Sequence, residues 1–245
     1  MSVNQPPADT APPTEGALRE QLATYFLSMP PLAEQTAGQR REYLRQLARL
    51  GQLERQEVLQ AAGSGRPLVW GNPAPLLQAL LSAAQRLGAG LGQPLLLFPA
   101  KETAIGWDTL LHPRLLSIAL VDLLRSACVA APRQPVWVRL QEQRSSLAVA
   151  VTAAAPFATP DTLTMVKECT RLHDGSLVLC ENTVSFTCGC VQEPPPGVRL
   201  YCCPTEQDLL QDTLSPVWSG FYAGIYSALT SSEEADASDP SDSST

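Results

Sequence analysis

Two stretches with apolar residues at helical spacing follow a polar start. The first contains Leu18, Leu22, Tyr25, Phe26 and Met29, and the second runs from about Gly38 to Ala62. Pro30 and Pro31 separate them, because proline lacks a backbone donor and disfavours helix in the residue before it. The pattern predicts a hairpin of two amphipathic helices over residues 17–66. Each helix has an apolar stripe to bury, so we expect the hairpin to dock on the rest of the chain or on a second copy.

Over residues 67–192, segments with apolar residues at helical spacing are interspersed with segments whose pattern is typical of strands. Helices are predicted from Pro75 to about Leu91, from Pro113 to Cys128 and from Pro160 to His173. Predicted strands are Leu95–Phe98, a short one near Ala104–Trp107, and two hairpins, Val136–Leu140 with Leu147–Val151 and Ser176–Cys180 with Val184–Cys190. Helices alternating with hairpins predict an α+β fold, a two-layer α/β sandwich whose mixed, mostly antiparallel sheet is covered on one face.

The two ends of the chain differ in composition from the middle. Residues 1–16 are mostly Pro, Ala, Thr and Asn, with almost nothing to bury, and predict disorder. Residues 193–245 predict a proline-rich linker with one edge strand at Val198–Cys202, an aromatic segment over Asp208–Leu229 and a disordered acidic tail from Ser231.

The aromatic segment has two interpretations, because so many rings would not stay exposed without a surface to contact. It can fold back over an open pocket or sheet edge of its own chain, which we favour because little chain follows it. Alternatively, Trp218, Phe221 and Tyr222 anchor a docking motif in the groove of a partner protein.

Charge and cysteine content narrow the class of protein. A formal net charge of −7 argues against a nucleic-acid surface, which would show clustered Lys and Arg. Seven cysteines at irregular spacing favour reduced thiols over a disulfide framework. The N-terminus has no signal-peptide pattern, and no apolar run approaches the roughly 18 residues that span a bilayer. We therefore expect a soluble, cytoplasmic protein.

The order of these elements resembles the cytoplasmic half of sensor histidine kinases. Leu115–Ala127 is similar to their N-box helix, Leu147–Val151 to the strand before their adenine-binding motif, and Leu163–Leu177 to their late helix with its leucine, histidine, glycine, glycine ending. The helical hairpin lies where the family has its dimerisation and phosphotransfer helices. The resemblance implies a GHKL-type histidine-kinase ATPase domain over residues 67–192 and a dimerisation hairpin over residues 17–66.

The residues with which this family binds ATP have no full match here. The resemblance implies an N-box asparagine that holds Mg²⁺, and the matching position is Ser126, with Asp122 one turn earlier. It also implies an aspartate and glycines around the adenine, but the matching stretch Val151–Phe157, which includes Ala153, contains neither. Ala158–Asp161 is too short for the glycine-rich lid.

The phosphoacceptor is missing as well. A working kinase of this type needs a histidine on the hairpin, because the imidazole nitrogen is the nucleophile. The chain has only His112 and His173, and neither lies there. The resemblance therefore implies a degenerate member, a pseudokinase without autophosphorylation.

These absences predict a signal-transduction protein that acts by binding, with no cofactor and no catalytic residue. Its partner would be a response regulator, a kinase or a second copy in a homodimer. The alternative is a weak ATP-binding enzyme in which Asp122 and Ser126 hold ATP–Mg in an atypical pocket. A pocket filled by Phe157 or Trp218 would favour the binding protein.

The two histidines have structural interpretations. His173 follows a helix beside Asp174, where a cation is favourable, so a structural role is expected. His112 precedes a proline in a turn without an obvious partner, and we predict a surface residue.

The cysteines near the end of the sandwich leave a third hypothesis open. A zinc-stabilised structural protein would take four thiolates from Cys188, Cys190, Cys202 and Cys203. The spacing is not that of a standard zinc knuckle, and small buried side chains explain Cys188 and Cys190 at least as well.

Overall fold

The structure, a computed structural model, describes residues 15–30, 34–63, 68–98, 108–143, 146–189, 193–211 and 216–237. The chain divides into two compact units, residues 1–46 and 47–245. Three predictions fall outside the described residues: disorder over residues 1–14, the strand near Ala104–Trp107, and the last part of the acidic tail, residues 238–245.

The first unit contains the predicted helices, α1 (Glu15–Ser28) and the beginning of α2 (Ala37–Gly63). Thr36 and Gln39 start α2 as a capping box, in which each side chain accepts a hydrogen bond from the other residue's backbone N–H. The ring of Phe26 meets that of Tyr43 edge-on, with centroids 5.3 Å apart. Disorder predicted through residue 16 is wrong for Glu15 and Gly16, which form the first turn of α1.

The second unit holds the second half of α2 and all later elements. Their bounds are β1 (Val69–Gly71), α3 (Pro73–Gly90), β2 (Leu95–Phe98), β3 (Thr109–Leu111), α4 (Pro113–Ala130), β4 (Val136–Gln143), β5 (Ser146–Thr152), α5 (Pro160–Leu172), β6 (Leu177–Cys180), β7 (Thr183–Gly189), β8 (Arg199–Leu200), α6 (Glu206–Gln211) and α7 (Pro216–Ala237).

The main sheet has five strands in the order β2-β4-β5-β7-β6. Strand β2 runs parallel to β4, and the other pairs are antiparallel. Val138, Val149 and Phe186 point to the face that α4 and α5 cover and are buried there. Arg139, which pairs with Ala150, is exposed on the other face. The predicted fold class, an α+β sandwich with a mixed and mostly antiparallel sheet, is confirmed.

A second sheet of three strands, in the order β3-β1-β8, was not predicted. Its strands have two or three residues each, too few to show an alternating pattern, and their partners are distant in sequence: Val69 pairs with Leu111 and Trp70 with Leu200. Strand β8 lies inside the predicted edge strand Val198–Cys202.

The long helix α7 (Pro216–Ala237) follows the short helix α6 in the C-terminal part of the chain. Helix α7 packs against α4 and buries Trp218, Phe221 and Ile225. The disordered tail predicted from Ser231 is wrong as far as Ala237, because α7 continues through a stretch of Glu and Ala, both strong helix formers. Within the described part of the chain, no helix is long and apolar enough to cross a membrane.

Candidate functional site

Helix α4 carries the two residues predicted to contact a nucleotide. Pro113 lies in its first turn, and Nδ1 of His112 caps it by accepting a hydrogen bond from the Leu115 N–H at 3.2 Å. The helix is buried at nearly every position between the sheet and α7. Asp122 and Ser126, one turn apart, are each only 7% exposed.

The hydroxyl of Ser126 contacts α5 directly. Its Oγ lies 2.7 Å from Oγ1 of Thr162, which lies 2.9 Å from Oγ1 of Thr159, the N-cap residue of α5. Because Thr162 is fully buried, this chain of three hydroxyls closes the space between α4 and the first turn of α5. Thr159 before Pro160 is a recognisable helix start in the sequence, whereas nothing local in the sequence indicates that Thr162 meets Ser126.

Two arginines hold the carboxylate of Asp122. Nη2 of Arg55, from the second half of α2, lies 3.1 Å from its Oδ2, and Nη2 of Arg125 lies 3.0 Å from its Oδ1. The same Nη2 of Arg55 donates a hydrogen bond to the carbonyl oxygen of Asp161 at 2.9 Å. A single guanidinium thus joins α2, α4 and the start of α5. Nothing local in the sequence indicates these contacts, because the partners of Arg55 are distant along the chain.

The position that matches the family's adenine-binding aspartate is apolar and closed. Ala153 and Phe157 are both buried in the main hydrophobic core. The Ala153 N–H donates to the carbonyl oxygen of Asn182 at 3.0 Å, so its backbone is also engaged. Phe157, one of the two residues considered as a filling of the pocket, thus contributes to the core.

The aromatic segment folds back on its own chain, the first of its two predicted interpretations. Trp218 is 1% exposed, donates its ring N–H to the carbonyl oxygen of Leu209 at 3.1 Å and meets Phe221 edge-on. In this conformation Trp218 and Phe221 belong to the core and are not part of an exposed docking surface. Tyr222 is half-buried and stacks on Tyr226.

Helix α7 approaches the other elements through glycines. A Cβ on Gly224 would lie 3.0 Å from the aliphatic stem of Arg125, and a Cβ on Gly51 would lie 3.2 Å from the backbone of Gly220. The absence of these side chains lets α7 cover Arg125 and lets the second half of α2 lie against α7. The surroundings of Asp122 are thereby built from α2, α4 and α7.

Asp122 and Ser126, the two predicted ligands of a magnesium nucleotide, both make contacts within the protein. Mg²⁺ takes oxygen ligands in near-octahedral geometry, usually from carboxylates, phosphates and water. Here the carboxylate oxygens of Asp122 each face a guanidinium, and the Ser126 hydroxyl bonds to Thr162. Oδ2 of Asp122 makes no hydrogen bond, so its contact with Arg55 is an ion pair only.

The prediction that His112 is a surface residue without a partner is wrong. It is half-buried, it caps α4, and its backbone N–H donates to Nε2 of His173 at 3.0 Å. Burial is the main cause that lowers the pKa of both histidines below the ordinary value. A residue directly before a helix-starting proline is the N-cap position, so the sequence did contain this signal.

The buried cysteines are protonated thiols at neutral pH. Burial raises the pKa of Cys188 to about 12 and also raises that of Cys169. No group of three or more His, Cys, Asp or Glu side chains able to hold a metal occurs among the residues that the structure describes. Cys190, one of the four proposed zinc ligands, lies outside them.

The sequence matches no protein-family model. A search of curated proteins also finds no significant match.

Comparison with solved structures finds histidine kinases. The Acinetobacter baumannii histidine kinase AdeS has a TM-score of 0.49 and 12% identity, over 72% of this chain and 95% of that one. The cytoplasmic segment of histidine kinase QseC has a TM-score of 0.45 and 16% identity, over 60% of this chain and 93% of that one. Histidine kinase ThkA, in a complex with the response regulator TrrA, has a TM-score of 0.45 and 11% identity, over 72% of this chain and 59% of that one. The solved structures to which this chain is similar are thus histidine kinases.

Proposed function

We propose that this chain is a degenerate histidine-kinase-like protein that transmits a signal by binding another protein and does not use ATP. The observation that carries the proposal is the position of Arg55. Its guanidinium lies between the Asp122 carboxylate and the Asp161 carbonyl, at the junction of α4 and α5. A positive group of the protein thus stands beside the carboxylate that a magnesium ion would need.

The surroundings of Arg55 support the same proposal. One carboxylate, that of Asp122, faces two guanidinium groups, so these three groups already carry a net positive charge, which disfavours a further cation such as Mg²⁺. The Ser126 hydroxyl is engaged by Thr162, and Phe157 is buried in the core, so both contribute to packing within the protein. These contacts support the proposal that the chain does not use ATP.

The partner that we propose is a response regulator or a kinase, or a second copy of the chain through the helical hairpin, as the sequence resemblance implies. Phosphotransfer to such a partner is not part of the proposal, since residues 17–62 contain no histidine to carry the phosphoryl group.

Thermal unfolding with increasing ATP–Mg tests the nucleotide half of the proposal. A ligand that binds only the folded state raises its stability by RT ln(1 + [L]/Kd), about 2.7 kcal/mol at a hundredfold excess over Kd. We expect no rise in the melting temperature at millimolar ATP–Mg. A rise would show that the chain binds ATP–Mg and would overturn this half of the proposal.

Direct titration tests the binding half. Purified response regulators and histidine kinases from the same organism are titrated calorimetrically, with and without ATP–Mg. We expect a partner that binds in the absence of ATP. We also expect no radiolabel on this chain, or on a response regulator mixed with it, after incubation with γ-labelled ATP and no other kinase. A response regulator that binds only with ATP, or label in that mixture, would contradict the proposal.

A further inference from the structure

The imidazole of His173 is buried between two backbone groups, one a hydrogen-bond acceptor and the other a hydrogen-bond donor. It is 2% exposed and lies just after α5. Its Nδ1 is 2.7 Å from the carbonyl oxygen of Cys169, one turn earlier, and its Nε2 is 3.0 Å from the backbone nitrogen of His112.

These two partners determine which nitrogen carries the proton. A carbonyl oxygen only accepts, so Nδ1 is protonated and donates to Cys169. A backbone N–H only donates, so Nε2 is unprotonated and accepts from His112. Only the neutral form of the ring can make both hydrogen bonds. A second proton would have to bind Nε2, where it would face the His112 N–H.

The His112–His173 bond lies at a junction of three elements. His112 links β3 to α4 and caps α4 through its own Nδ1. The carbonyl oxygen of His173 accepts from the Gly189 N–H at the end of β7 at 2.7 Å, and the Gly189 carbonyl accepts from the Thr109 hydroxyl of β3 at 2.7 Å. The contacts form a short path from the end of α5 through β7 back to the start of α4.

The titratable and charged groups around the ring are few. Asp174 in the turn after α5 is the acidic residue whose charge favours a protonated His173, while His112, preceding α4, opposes it. Arg114 of α4 opposes protonation of His112. The thiol of Cys169, 3.5 Å from Nδ1, is influenced by Cys188 of β7 and by Glu168 of α5.

We propose that His173 is a pH-dependent latch, which holds the start of α4 to the end of α5 when it is neutral and releases it when it is protonated. This inference is independent of the proposed function, because it concerns the corner of the domain that lies at the opposite end of α4 from Ser126.

The direction of the effect follows from the lowered pKa of His173, of which burial is the largest cause. The open or unfolded state binds a proton at about pH 6.5, and the closed state only at lower pH. The latch is therefore fully effective above about pH 6.5 and weakens as the pH falls. The pKa of His112 is also lowered, and its Nδ1 also accepts a backbone N–H. Protonation of His112 should therefore weaken the start of α4 over the same direction of pH.

Amide hydrogen exchange at His112 measures the latch directly. Dividing the measured exchange rate of this N–H by its intrinsic rate gives the equilibrium constant for local opening. In the wild-type chain we expect this constant to increase as the pH falls. The limiting slope is about tenfold per pH unit for each proton taken up. A slope indistinguishable from zero between pH 7.5 and 5 would overturn the proposal.

A matched pair of variants separates the two histidines. In His173→Gln the amide oxygen takes the place of Nε2 and accepts the His112 N–H at every pH, so the acid-dependent opening should fall to the part that His112 itself contributes. In His112→Asn the cap of α4 is kept by a good N-cap residue, and the opening should persist with a smaller slope. Equal slopes in the wild type and His173→Gln would refute the latch.

The nitrogen chemical shifts of the wild-type ring provide a test that does not depend on the folding of a variant. We expect an unprotonated Nε2 and a protonated Nδ1 at pH 7.5. The opposite tautomer would be incompatible with the latch. The double variant His112→Asn/His173→Gln contains no histidine, and so identifies any remaining acid effect as one of carboxylates.

Discussion

Ser126 and Thr162 hold α4 and α5 together through hydroxyl oxygens 2.7 Å apart. The sequence resemblance implies an asparagine that holds a metal ion at the position of Ser126. In the structure the Ser126 hydroxyl contacts another side chain of the protein. The same two elements are joined a second time by Arg55, so the contact is one of several that close the α4–α5 junction.

Removing the hydroxyl contact is expected to lower stability modestly. We predict that Ser126→Ala costs about 1 kcal/mol, the net value of one buried hydrogen bond. Thr162→Val should cost somewhat more, because Thr162 also bonds to Thr159. The double variant should cost less than the sum of the two, since the shared bond is lost only once. Urea unfolding measures all three, and strict additivity would show that the contact contributes nothing.

Neutralising Asp122 is expected to have a larger effect. In Asp122→Asn, Arg55 and Arg125 lose their shared counter-charge, and we predict a loss of about 1–3 kcal/mol. The value lies below that of a fully buried pair because both guanidinium groups keep contact with solvent. Urea unfolding at low and high salt provides the measurement.

Glu206→Gln is the control for this prediction. It breaks an ion pair with Arg86, whose side chain is 71% exposed, and should change stability by less than about 1 kcal/mol, less still at high salt. Equally small losses of stability in Asp122→Asn and Glu206→Gln would show that Asp122 does not hold α2 to α4.

Gly175 is expected to tolerate no side chain. A Cβ there would lie 1.7 Å from the carbonyl oxygen of Thr187 on β7. We predict that Gly175→Ala lowers the free energy of unfolding by about 3 kcal/mol or more, because backbone would have to move. Gly220→Ala is the control, since its Cβ would meet nothing within 4 Å and alanine favours helix by about 1 kcal/mol. Thermal and urea unfolding compare the two variants, and a stable Gly175→Ala protein would contradict the close approach.

The reason for Gly175 differs from the one that the sequence suggested. A glycine after a helix predicts a left-handed residue that terminates it. In the structure Asp174 has that conformation, with φ of 45°, while the Gly175 N–H donates to the Thr170 carbonyl at 2.8 Å. Gly175 is required because β7 passes close to it, which only the tertiary structure reveals.

Helices α1 to α5 and the two hairpins of the main sheet were predictable because each has its own apolar period and local stop signals. Proline, a capping threonine and alternating valines act within a few residues of the position that they determine. The predicted ends of α2 and α5 are accordingly within a residue or so of those observed.

The sequence alone determined which residues are missing: no histidine on residues 17–62, no acid or glycine over Val151–Phe157, and no room for a lid. These are properties of composition and position, and need no coordinates. Tertiary structure alone decided what stands in their place. Arg55 reaches Asp122, Thr162 reaches Ser126, and His112 reaches His173 across many residues of chain. Such contacts depend on how separate elements pack, because side chains far apart in sequence meet only when burial of the apolar faces has brought their helices together.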